Sequence, residues 1–311
     1  MVRQLPSIKQ YYGITDPVPF NDVNVSADNW LFVDPHAVRL RRSPQPFADE
    51  AIECADTFLG EITGSIIQGT RTSRQRGERL LQRFTEPWET RMGMAEEGFA
   101  GHGGASFIGS LIWETLNDDV EALVRVGVLR QIEDLPLFVN GVDRDITSDV
   151  TTRIMYGPLA RFTESMLVAF PEFSAGPHKV GKFKRQVWNP ISREWDEEAF
   201  TLPIANGKPL VLVPDGWARR NLLMSAGRFY ETAVLSFAQL ETAVRGSNGK
   251  LVKTPKERLK KEPGLGRGRG TNLRVTMRAF ENEQDLLAAF KAFVASKFDA
   301  DADADDEDSA A

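Results

Sequence analysis

Apolar residues recur at intervals of three and four from Phe47 onward, at Ala51, Ile52, Ala55, Phe58, Leu59, Ile62 and Ile66. This spacing predicts an amphipathic helix running to about Gln68. The next segment, GTRTSRQRGERLLQRF, predicts a second helix ending near Phe84. Its basic face holds Arg71, Arg74, Arg76, Arg79 and Arg83 against Glu78 alone. A third helical pattern begins near Ser106 and carries Ile108, Leu111, Ile112, Leu116, Val120, Leu123 and Val124 on one side. The Gly-rich stretch GFAGHGGASFIG before it reads as a loop of unusual backbone conformation.

Two short apolar runs read as strands. One is DNWLFVD (28–34), ended by Asp34 because Pro35 removes a ladder donor. The other is LPLFVN (135–140), which opens into GVDRDITSDVTTRI. Ser148 or Asp149 is expected to cap the helix that follows to about Phe170, with Pro158 kinking it or starting a new segment. Between 171 and 214 the pattern turns to strands, in KRQVWN, AFTLPI and KPLVLVP, with Asn206-Gly207 as a turn dipeptide. A long helix is expected over 216–245 and a last one over 283–298.

The elements predict a mixed, helix-rich α/β or α+β fold with a small central sheet. The main body spans 1–298, with a subdivision near the strand-rich region 171–214, followed by a disordered acidic tail over 299–311. Hydrophobic residues at 41% and charged residues at 26% are ordinary for a folded chain of 311 residues. No stretch approaches the roughly 18 apolar residues that span a bilayer, and MVRQLPSIKQYYG has no apolar run behind its charges. Neither insertion nor export is expected. The single cysteine, Cys54, excludes an intrachain disulfide, so a cytoplasmic location is expected, with the thiol buried in its helix.

Charge changes the picture more than composition does. Net charge is −6, but seven acidic residues sit in the tail, so the rest of the chain is +1. The segment 250–278 holds ten basic residues against Glu257 and Glu262, and Gly264, Gly266, Gly268 and Gly270 interrupt it as an expected flexible loop. Lys and Arg interleaved with Gly can follow a phosphate backbone without a fixed groove. Lys256, Lys260, Lys261, Arg267 and Arg269, with Arg71, Arg74 and Arg76, are therefore the candidate nucleic-acid ligands. A solvated connector, or a binding site for the chain's own acidic tail, is equally open to this segment.

Acidic and imidazole groups gather at three backbone breaks: Asp34-Pro35-His36, the His102 loop, and Asp143 to Asp149. Strand-end carboxylates are the residue type that holds magnesium or manganese, so Asp34, Asp143, Asp145 and Asp149 are candidate metal ligands. Asp145 and His102 are candidate catalytic groups. Each also has an ordinary structural role open to it, in turns and helix caps. The Gly-rich loop matches neither phosphate-binding fingerprint, no Gly-x-Ser-x-Gly elbow exists, and no Asp/Glu-x-Lys pair lies on a predicted strand. Trp188, Trp195 and Trp217 could stack bases, although hairpin packing is the commoner use of such residues. Two functional expectations follow. One is a nucleic-acid-directed, metal-dependent phosphodiesterase; the other is a non-catalytic adaptor for nucleic acid or a protein partner, working through 250–278.

Overall fold

The computed structural model describes residues 6–82, 87–93, 102–117, 123–124, 127–247 and 249–298, with side chains in the 102–117 helix from Gly109 onward. The expected tail 299–311, the His102 side chain and Arg83 lie outside these residues. The expected helix over 47–68 is present as α3, Phe47–Gln68, and is closed by Gly69 in the left-handed region. It occupies the centre of the fold. Packed around it are α2 (Pro35–Arg41), α4 (Arg71–Leu81) and α8 (Tyr156–Ala169). A short α1 (Ile8–Tyr12) precedes them. Behind α4 runs α5 (His102–Asn117), which starts four residues earlier than the sequence suggests, so the glycines at 103 and 104 are helical. The α4–α5 contact is close: a Cβ at Gly77 would meet the Trp113 ring at 2.6 Å, and one at Gly109 would meet the Leu81 carbonyl.

Three small antiparallel sheets, not one central sheet, carry the strands, which makes the fold helix-rich α+β. The hairpin of β2 (Lys179–Asn189) and β3 (Glu194–Ala205) is extended by β4 (Lys208–Pro209) through the Asn206-Gly207 turn, both of whose residues have positive φ. Its register pairs Trp188 with Trp195, and α8 packs on its inner face. β1 (Phe32–Val33) pairs with β5 (Ala218–Arg219). β6 (Val244–Arg245) pairs with β7 (Leu251–Val252) in an exposed ribbon.

Several sequence expectations are corrected. Residues 135–138 form a helical turn, α6 (Leu135–Phe138), not a strand, because Pro136 presets a helical φ in its first turn and needs no N–H there. The helix α7 (Arg144–Ile154) is capped by Asp143, so Ser148 and Asp149 lie inside it. A new segment does begin before Pro158, since α8 starts at Tyr156. The helix expected over 216–245 is shorter: α9 (Ala226–Phe229) continues through a π turn, Tyr230–Val234, into α10 (Leu235–Glu241). The basic segment contains α11 (Lys256–Leu259) and the start of α12 (Arg269–Glu281); α13 (Leu286–Lys297) follows. Its Gly-rich loop is pinned, with Tyr230 OH donating to the Leu265 carbonyl at 2.5 Å and Thr271 Oγ1 to that of Gly266 at 2.6 Å.

Buried apolar side chains from Ile8 to Val294 form one hydrophobic cluster. A polar knot crosses it. Glu133, buried in a 3-10 turn (Ile132–Asp134), receives Arg39 Nε at 2.7 Å and lies 3.2 Å from His36 Nδ1. Arg39 also grips both oxygens of Asp56. The neighbouring Asp134 pairs with Lys291 of α13 at 2.6 Å. Burial pushes the Glu133 carboxyl up, but the His36 hydrogen bond and the charges of Arg39 and Lys291 outweigh it and bring the group down to about 2.

Candidate nucleic-acid interface

Asp34 ends β1 and caps α2. Its Oδ1 accepts from the His36 and Ala37 amides at 2.9 and 3.2 Å, and its Oδ2 accepts from the Leu223 amide at 2.7 Å. The side chain is buried, and burial pushes its pKa up against the opposing pull of the Leu223 N–H, His36 and Arg219. Both oxygens thus serve the backbone, tying the strand end, α2 and the 219–223 loop together. Asp143 is likewise a cap, its Oδ1 accepting from the Asp145 and Ile146 amides at 3.1 and 3.2 Å.

The fold does bring two of the three acidic places together. Ser148 Oγ, inside α7, accepts from the Val33 amide at 2.9 Å and so joins the Asp143–Asp149 turn to the strand that ends at Asp34. Asp145 approaches Gly93 so closely that a Cβ there would lie 3.2 Å from Oδ1. His102 opens α5 with its backbone. Among the described residues, no three His, Cys, Asp or Glu side chains are grouped to hold a metal ion.

At the same junction stands an arrangement the sequence reading passed over. Arg144, the first residue of α7, lays its guanidinium 4.5 Å above the Trp30 ring and 4.9 Å from Phe32. The guanidinium is held by the Asn221 side chain at 2.8 Å and by the Arg220 carbonyl at 3.4 Å. Trp30 is 52% exposed. Its position is set by the preceding Asn29, whose side-chain amide donates to the carbonyls of Asn24, Ala27 and Arg91 and whose Oδ1 accepts from the Asn24 amide. A signal for this was present in the sequence: Trp30 and Phe32 are two apart in the strand expected over 28–34, a spacing that puts side chains on one face, although the observed β1 begins only at Phe32. The partner, Arg144, is more than a hundred residues away.

The candidate basic residues divide by environment. Arg74 donates to Asn117, and Arg76 is enclosed by Glu61, Glu194 and the Arg193 carbonyl, while Arg71 stays exposed. Lys256 donates to the Glu231 carbonyl, and Lys260 pairs with Glu231 and Glu257. Arg269 is a clamp: Nε and Nη2 donate to the Pro136 and Val142 carbonyls, each at 2.8 Å. Burial lowers its pKa against the pull of the Asp143 carboxylate. What stays exposed in the basic segment, with no side-chain hydrogen bond or ion pair among the described residues, is Lys261 and Arg267, joined by Arg245, Lys253 and Arg258. Through the Arg269–Val142 bond the start of α12 abuts the turn that leads into Asp143 and Arg144.

Trp188 and Trp217 are core residues, and the Trp195 indole donates to the Leu80 carbonyl. A groove of about 420 Å³ between α3 and α4 is floored by Gly60 and Gly64, and the two arginines at its rim, Arg76 and Arg193, are both paired to Glu61.

No curated protein and no solved structure matches the sequence. A family model described as a domain of unknown function, DUF8370, matches residues 14–225, which include Trp30, Asp34, Arg144 and Asn221 and stop short of the basic segment. That match covers more than half of the 311 residues, and the chain belongs to this family.

Proposed function

We propose that this protein binds nucleic acid as a polyanion, through the exposed cations of the β6–β7 ribbon, α11 and the loop to Arg267. One observation carries the reading. The fold pairs Lys260 and Arg278 with carboxylates and spends Lys256 and Arg269 on backbone carbonyls, yet leaves Arg245, Lys253, Arg258, Lys261 and Arg267 in solvent without an acidic partner among the described residues. Repelling charges held close on one short stretch cost stability unless a polyanion offsets them. The acidic residues at 299–308 carry the opposite sign and would compete with phosphate for this stretch. With Asp34 and Asp143 spending oxygens on helix caps, binding without hydrolysis is the better supported half of the nucleic-acid reading.

The test is retention of labelled single- and double-stranded DNA and RNA across rising salt, with magnesium, manganese or EDTA present. Five neutralised phosphates give a log–log salt slope of about −4, and the double variant Lys261→Glu, Arg267→Glu flattens it by roughly two. Retention that ignores salt, or none at low salt, overturns the reading. Metal-dependent cleavage that disappears in Asp145→Ala would move it to the phosphodiesterase class.

A further inference from the structure

We propose that Trp30 is a stacking platform for an unpaired nucleobase, so that the preferred strand is single. The inference rests on the nucleic-acid reading above and names its substrate class. The indole is half exposed, yet it is packed against placed neighbours. Phe32 meets it edge-on at a centroid distance of 5.8 Å, Arg144 lies over it at 4.5 Å, and Asn29 ties down its loop through four side-chain hydrogen bonds. An exposed aromatic that is already immobilised loses little entropy on stacking, which is what a binding surface needs. Trp188 and Trp217, by contrast, are spent on the core.

The surroundings suit a planar base better than an aliphatic group. Arg144 is fixed by Asn221 and the Arg220 carbonyl, so the stack presents a flat, polarised surface that suits a π-system. Phosphates belong to the exposed cations of the basic segment, whose Arg269 bonds the Val142 carbonyl two residues before Arg144. A duplex cannot use the platform, because its bases are already stacked and Trp30 sits on a fixed loop.

The experiment compares wild type, Trp30→Ala and Trp30→Phe on three ligands at equal salt. These are a single-stranded oligonucleotide of roughly twelve residues, an abasic strand of the same length, and a duplex. Trp30→Ala is expected to lose at least about fivefold on the single strand, from the value of one stacked base. It should leave the abasic strand and the duplex unchanged, with a melting temperature lowered by only about 1–3 °C for the lost Phe32 and Arg144 contacts, and Trp30→Phe should keep most of the affinity. Equal loss on the abasic strand, or no loss on the single strand, overturns the platform. Salt-dependent duplex binding without single-strand preference also overturns it while leaving the polyanion reading standing. Absence of binding to any of the three ligands overturns both.

Discussion

Arg269 separates a structural cation from a nucleic-acid ligand, and its removal gives the sharpest test of how the basic segment is used. Sequence alone groups it with Lys261 and Arg267, but its two donors hold the carbonyls of Pro136 and Val142, each at 2.8 Å. Hydrogen bonds to a charged group contribute about 1.5–3 kcal/mol when buried, and this side chain is only partly buried. Discounting for solvent, Arg269→Ala should cost about 2–3 kcal/mol for the pair of bonds together. In a chain of this size that corresponds to a fall of roughly 3–5 °C in melting temperature. Arg269→Lys should not restore it, because an ammonium lacks the planar fork that spans two carbonyls. Lys261→Ala and Arg267→Ala, both at exposed positions, should stay within about 0.5 kcal/mol of wild type while weakening polyanion binding. Thermal unfolding by circular dichroism, paired with the salt titration, reads both effects. The reasoning fails if Arg269→Ala melts like wild type yet flattens the salt slope as much as Lys261→Ala does.

Two further outcomes follow from buried carboxylates. Asp34→Ala strands three backbone amides, two of them at the start of α2, and should destabilise the protein by about 3 kcal/mol or more, equally with magnesium or with EDTA. A wild-type melting temperature that rises with magnesium, and an Asp34→Ala defect confined to that increment, would assign Asp34 to a metal instead. Glu133 is held at about 2 against an ordinary 4.5, so its ionised form stabilises the fold above pH 4.5, and that stability is lost as pH falls from 4.5 towards 2. The shift amounts to about 3 kcal/mol. Urea unfolding of wild type and Glu133→Gln at pH 7 and pH 3 should show a difference that shrinks with acid. A difference independent of pH would refute the assignment. Asp134, pushed up by burial and by the neighbouring Glu133 charge, acts in the opposite direction, and Glu133→Gln relieves part of that push.

The sequence by itself determined the elements whose signals are local. The α3 helix was legible end to end because seven apolar positions share one face and a glycine closes it. The β3–β4 turn was legible because Asn206-Gly207 tolerates the positive φ that such a turn demands. The run at 135–138 was not, since four apolar residues with a proline fit a buried strand and a helical turn equally well by periodicity. The cap of α7 went to Asp143 because caps are decided by which side chain reaches a free amide, and several residues of the right type stood in a row. In the candidate interface, the sequence showed charge, glycine and acidic density but not their use. Tertiary structure alone decided that Arg269 faces two carbonyls while Lys261 faces water, that Ser148 bonds the strand end, and that Arg144 covers Trp30. The reason is physical. A long cationic side chain goes to whatever acceptor the fold brings within a few ångströms, and that acceptor is set by packing between segments more than a hundred residues apart.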